Sequence, residues 1–304
     1  MSPLLTVCSF YRFAALVDPA GRKDALLAEA RERSLLGTIL LADEGINGTV
    51  CGERDAIESL LAWLARWEGF ENMTGRWSES AGSPFQKMRV RLRAEIVTLG
   101  RPDINPAAAT APHVDAATWN ALLARDDVIV IDTRNDYEVE VGTFPGVENP
   151  QTGSFREFPD YVAANIDRLK SQPVAMFCTG GIRCEKASAL LLESGCQEVY
   201  QLDGGVLGYL DAVAADENRW QGECFVFDTR VAVNQELAPG GYVQCHACRR
   251  PLGPDDLASP LYEEGLSCPH CHGTIDEEKL NGLRERRRQN RLRRDRARSA
   301  ENRD

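Results

Sequence analysis

Residues 174–187, VAMFCTGGIRCEKA, leave this chain the fewest folding choices. A short apolar run, Val174 to Phe177, suits a buried parallel strand. Gly180 and Gly181 admit backbone angles that side chains forbid, and Arg183 to Glu193 repeats apolar residues at helical spacing. Strand, loop and helix in that order put Cys178 at a strand's carboxyl end, facing the first turn of the next helix. Unpaired amides and the positive end of the helix dipole there favour thiolate over thiol, lowering a free-cysteine pKa of about 8.5. A buried structural cysteine would need neither the glycine pair nor Arg183. Thr179, Gly180, Gly181, Ile182 and Arg183 are therefore candidate active-site loop residues around a candidate catalytic Cys178.

This loop resembles that of the rhodaneses. The resemblance runs from Asp132-Thr133-Arg134, after the run VIVID, through GTFPGV (142–147) to VYQLDGGVLGY (199–209), and covers roughly residues 117–215. Four residues separate Cys178 from Arg183, as in the rhodanese loop, whereas cysteine phosphatases place five there to form a wider anion cradle. A Cys-His dyad is poorly supported: His113 is the one histidine outside the C-terminal cysteine cluster, and it lies in a Pro/Ala-rich stretch. Asp132 and Arg134 are candidate accessory residues that either shape the pocket at the strand ends or tie the loop by hydrogen bonds. Cys184, six residues beyond Cys178, either resolves an oxidised or persulfidated Cys178 or packs as a helix residue. Cys8, Cys51, Cys196 and Cys224 sit in apolar settings and read as core.

At 304 residues the chain has room for two or three domains. Its first residues lack the features of a secretory signal, and no run of about 18 apolar residues suggests a membrane span, so the expectation is a reduced, cytoplasmic protein. The segment LLTVCSFYRF (4–13), helical stretches over 18–35 and 54–67, two apolar runs flanking DEGING, and an alternating segment 86–97 give the order β-α-β-β-α-β. That order predicts a ferredoxin-like or acylphosphatase-like α+β domain over residues 1–99 with one sheet face open. In 86–97, Met88, Val90 and Leu92 would face one side and Lys87, Arg89, Arg91 and Arg93 the other, as a solvated face or an RNA-facing surface. A Pro/Ala-rich linker occupies 100–114. Residues 115–219 alternate helix and strand, as a rhodanese-like α/β domain with a parallel sheet requires.

From 220 to 280 an apolar run, QGECFVFDTRVAV, leads to Cys245-x2-Cys248, nineteen residues, and Cys268-x2-Cys271. Two such knuckles supply four thiolates and predict a closed, structural zinc site; His246, His270 and His272 are interleaved, either as substitute ligands or solvent-exposed. The net charge of −11 conceals an asymmetry. Residues 284–304, most of an arginine-rich tail spanning 281–304, hold ten arginines against four acidic residues, a local +6 that leaves −17 on residues 1–283. Such a tail offers phosphate contacts that an acidic body cannot, or is merely solvated.

LADEGINGT, CTGGIRCEK, GECFVFDTRVAV and the paired Cys-x2-Cys knuckles, taken together, resemble the TrhO (YceA, formerly UPF0176) family over nearly all of residues 1–275. The resemblance implies a tRNA uridine(34) hydroxylase that uses molecular oxygen to make 5-hydroxyuridine at the wobble position, with the catalytic cysteine on Cys178 and the tRNA anticodon region as partner. Neither redox-inert zinc nor the four histidines explain oxygen activation, and no dinucleotide fingerprint is present, which leaves the source of electrons open, with an unidentified electron donor as a candidate partner. The competing readings are a rhodanese-type sulfurtransferase acting through a Cys178 persulfide, and a non-catalytic RNA-binding scaffold.

Overall fold

A computed structural model of the chain describes residues 5–80 and 82–301, with side chains through 292 apart from residue 290. Residues 302–304 of the expected arginine-rich tail thus lie outside the described residues. The chain divides into two compact units, one of residues 1–229 with 233–239, the other of 230–232 with 240–304.

The first unit opens with β1 (Leu5–Phe13), α1 (Pro19–Glu32), β2 (Leu36–Ala42), β3 (Gly45–Gly52), α2 (Arg54–Leu64), β4 (Arg76–Ser80) and β5 (Met88–Leu92). The strand order is β4-β1-β3-β2-β5, antiparallel except where β5 runs beside β2. The sheet is ferredoxin-like, with an added edge strand. Here the expected strand assignment needs correction: the fourth strand is the polar stretch RWSES, and the alternating segment over 86–97 supplies only the fifth. Met88 and Val90 pack into the core with Cys8, Phe10, Ile39, Leu41, Ile57 and Leu60, but Leu92 is exposed at the strand end with the four basic residues. An edge strand covered on one face by helices needs only two inward positions. The opposite sheet face is not simply open either, because the Tyr11 hydroxyl donates to Glu185 Oε1 at 3.1 Å in the following domain.

The stretch over 100–114 is not a free connection. Ile104 and Ala111 are buried with Phe158, Met176 and Leu191 in the next core, so its apolar residues act as packing rather than spacer. Then come β6 (His113–Val114), α3 (Ala116–Leu123), β7 (Ile129–Asp132), α4 (Asp136–Val139), β8 (Gly142–Thr143), α5 (Phe158–Ser171), β9 (Val174–Phe177), α6 (Ile182–Glu193), β10 (Val199–Leu202) and α7 (Gly205–Ala212). The four parallel strands run β6-β10-β9-β7. Period-two alternation splits the strands between two cores: Ile129, Ile131, Val174, Met176 and Cys178 face α5 and α6, while Val130, Ala175 and Phe177 face Trp119, Phe144 and Tyr209. Helices therefore cover both faces. Because β9 is an inner strand, its carboxyl end is the centre of the sheet edge.

The two halves of this unit are joined by charge. Lys186 Nζ, fully buried on α6, lies 2.7 Å from Glu44 Oε2 in the β2–β3 turn and 2.6 Å from Glu95 Oε2 beyond β5. Glu95 also accepts from the amides of Leu99 and Gly100. Although burial pushes its carboxyl up, the Lys186 bond and these amides hold it below the usual carboxylate range. Removing one member of a buried pair strands the other. Lys186→Met is expected to lower unfolding stability by about 3–5 kcal/mol, read from the urea midpoint at constant m-value. A change under about 1 kcal/mol would show that the pair does not hold the halves together.

Candidate active site and metal centre

Cys178 follows the last residue of β9, with no exposed surface. The chain turns sharply at Gly181, whose φ of 96° excludes ordinary side chains, and α6 begins at Ile182. The Gly181 amide donates to Cys178 Sγ at 3.1 Å. The loop's outward carbonyls are fixed from the other side: Val206 N donates to Cys178 O at 2.9 Å and Leu207 N to Thr179 O at 3.0 Å, both from the first turn of α7. That approach requires Gly205, where a Cβ would stand 2.3 Å from Cys178 O. Gly205 thus lets α7 close on the cysteine loop, while Asp203 and Gly204 lie against Arg76.

Burial alone would raise the Cys178 thiol. It is overridden by the Cys184 thiol, the Arg183 charge and the amides at the start of α6, which hold Cys178 below the ordinary thiol value, to about 6. Cys184 moves the other way: burial and the neighbouring thiolate push it well up, and its sulfur lies 3.7 Å from Thr133 Oγ1. The two sulfurs are thus shifted in opposite directions, Cys178 toward thiolate and Cys184 toward thiol.

Arg183 is not a free anion receptor. Its guanidinium is forked onto Glu138 at 2.6 and 2.7 Å, with Thr179 Oγ1 a further 3.4 Å contact. Glu138, fully buried on α4, was not singled out in the sequence, and its position 45 residues upstream gave no signal. Asp132 and Arg134 form a second fully buried pair at 2.6 Å, and Arg134 also donates to Gly142 O while lying 5.0 Å from the Trp220 ring. Both side chains are enclosed, and their hydrogen bonds join the end of β7 to Gly142 and Thr143. Two further residues came unforeseen. Tyr11 reaches from β1 to the cysteine loop, its hydroxyl 2.9 Å from where a Gly181 Cβ would be. Glu185 accepts from Tyr11 and Thr110, and pairs with His113 at 3.0 Å. His113, read as part of a connector, is thereby a partner of Glu185, and its own pKa is raised by that bond. Burial, Glu185 and the Cys178 thiolate push the Tyr11 phenol well above its usual range, so it stays protonated. Gly180 is the open point of the loop: nothing lies within 4 Å of the place its Cβ would occupy.

Two family matches fall on this geometry in order. Residues 5–96 match the UPF0176 acylphosphatase like domain and residues 115–212 the Rhodanese-like domain. Together they are the defining architecture of one family. The chain belongs to the UPF0176/TrhO family. Among solved structures it is similar to the rhodanese-like domain of the Alr3790 protein from Anabaena sp, at 21% identity over 37% of this chain and 80% of that one, with a TM-score of 0.30. It is also similar to an acylphosphatase from Coxiella burnetii, at 25% identity over 29% of this chain and 93% of that one, with a TM-score of 0.22. The TrhO-family architecture fits a rhodanese-containing tRNA modification enzyme. Among the described residues, no helix is long and apolar enough to cross a membrane.

The second unit of this TrhO-family chain is built around Cys245, Cys248, Cys268 and Cys271, whose sulfurs all lie within 4.8 Å of one another. Separations of 3.9, 3.7 and 3.6 Å match the roughly 3.8 Å edge of a tetrahedron with Zn–S bonds of about 2.3 Å. The four cysteines could bind a metal such as zinc without a histidine. His270 pairs instead with Asp256 at 3.0 Å, on α8 (Pro254–Ala258), and His246 and His272 are exposed. Leu252, Leu266 and Leu283 complete the small core. Leu283 belongs to α9 (Glu277–Glu301), so the metal-type cluster also seats the base of the arginine-rich helix.

Two outcomes follow. Alkylation of Cys178, followed by peptide mass spectrometry, should show its inflection near pH 6, with the reactive thiolate present above that value and lost below it. Cys184→Ala should move the inflection upward, and an unchanged profile would remove Cys184 as donor. Purified protein should carry about one zinc per chain, and chelation should raise hydrogen exchange over residues 243–283 while leaving 5–229 protected. Metal analysis finding no zinc in freshly reduced protein would overturn the site.

Proposed function

We propose that this chain is an oxygen-dependent tRNA uridine(34) hydroxylase, forming 5-hydroxyuridine in the anticodon region with Cys178 as the catalytic nucleophile. The observation that carries this reading is the lowered Cys178 thiol, held by the Gly181 amide in a loop that has open space at Gly180, in a chain with both family domains. A thiolate with lowered pKa adds to electron-poor carbons, and C6 of uracil is such a carbon. Addition forms the S–C6 bond and moves the C5–C6 electron pair toward C5 and O4. C5 then accepts oxygen, and loss of its proton with cleavage of S–C6 returns the thiolate. The overall balance places one atom of molecular oxygen on C5 and reduces the other to water, which takes two electrons and two protons from a donor outside this chain.

Support for an RNA substrate comes from charge. Lys87, Arg89, Arg91 and Arg93 are exposed on and beside β5, and Arg284, Arg286, Arg287, Arg288 and Arg291 are exposed on α9, in a chain of net charge −11. Basic side chains grouped on an otherwise acidic protein supply the phosphate contacts that nucleic-acid binding requires. A reduced, cytoplasmic setting accords with ten free cysteines.

Cys178→Ser keeps the volume and removes the ionisable thiol. In cells complemented with this variant, 5-hydroxyuridine in tRNA should fall to the level of cells lacking the gene, with circular dichroism unchanged. Wild-type levels from the folded variant would sink the nucleophile assignment; loss of a thiolated nucleoside instead would make the chain a persulfide sulfurtransferase.

A further inference from the structure

Phe227 is the one exposed Phe, Tyr or Trp ring among the described residues, with 67% of its surface in water. A phenyl left outside forgoes the burial that aromatic side chains ordinarily gain, so its position calls for a reason. The position is specific. Two residues earlier, buried Phe225 packs edge-on against it at 5.1 Å between centroids, and Tyr137 packs on Phe225 at 5.4 Å. Thr179, next to Cys178, donates from Oγ1 to Phe225 O at 3.4 Å, which ties this segment to the cysteine loop. The Arg183 guanidinium lies over the Phe227 ring at 5.7 Å, and Arg183 is itself immobilised by its forked pair with Glu138. The ring is thus anchored beside the loop that carries the nucleophile, and most of it is unoccupied.

We propose that Phe227 is the stacking platform for the nucleobase presented to Cys178, an inference that rests on the nucleic-acid reading above. An anchored, exposed ring with a cation over it offers a π-face, and every unpaired base has one. Stacking is indifferent to base identity, so Phe227 holds the base in the loop's vicinity and leaves discrimination of uracil to polar groups. Arg183 connects the two tasks: its charge helps to hold the thiolate and its plane helps to hold the ring.

The test uses the full-length chain with Cys178→Ser, which binds without turnover, and two anticodon stem-loop RNAs that differ only in carrying uridine or an abasic site at the wobble position. With Phe227 present, the uridine RNA should bind about five- to 150-fold tighter, the worth of one base stack. Phe227→Ala should abolish the difference, and Phe227→Trp should retain it. In the otherwise wild-type chain, Phe227→Ala should leave the alkylation profile of Cys178 unchanged, showing an intact loop. Equal binding of the two RNAs by the parent protein, or a uridine advantage that survives Phe227→Ala, would overturn the platform. The outcome is separable from the hydroxylation reading: nucleoside levels in the Cys178→Ser cells decide that reaction, and the uridine-to-abasic ratio decides the ring.

Discussion

Arg183, Glu185 and Lys186, within two turns of α6, are all withdrawn from water, and each is neutralised by a different part of the first unit. Arg183 takes Glu138 from α4, Glu185 takes His113 and Tyr11, and Lys186 takes Glu44 and Glu95. Desolvating a single unpaired charge costs several kcal/mol, so α6 can occupy its place only when all three sets of partners are in theirs. This helix also supplies the amides and the cation that hold Cys178 ionised. The electrostatics of Cys178 therefore depend on residues as distant in sequence as Tyr11 and Glu44. The acylphosphatase-like half is a structural component of the cysteine site, more than an adjacent module.

What could be read in the sequence was local chemistry. The Cys178 loop, the glycine pair and the two Cys-x2-Cys knuckles each declare themselves within a few residues, because strand ends, tight turns and thiolate knuckles impose short spacings. Strand β4 escaped because RWSES is polar, short and on a sheet edge, with no apolar alternation to betray it, while the alternation of 86–97 filled the place of the last expected strand. Ile104 and Ala111 were hidden in a Pro/Ala-rich stretch because two separated apolar residues show no period. Long-range partners left no trace: neither Glu138 nor Glu44 carries any mark of the arginine and lysine they neutralise. The roles of Asp132 and Arg134 were open between pocket and tie, and their complete enclosure favours the tie.

The complete enclosure of the Cys178 sulfur has a consequence for its chemical lifetime. Thiolates climb the oxidation ladder more readily than thiols, and an exposed cysteine with a lowered pKa would be open to stray peroxide. Here the ionised sulfur is kept under the loop backbone, with free space above Gly180. Reactivity is set by basicity, but its expenditure is set by admission. A thiol enclosed in this way is shielded, while the loop stays closed, from oxidants that an exposed one would meet.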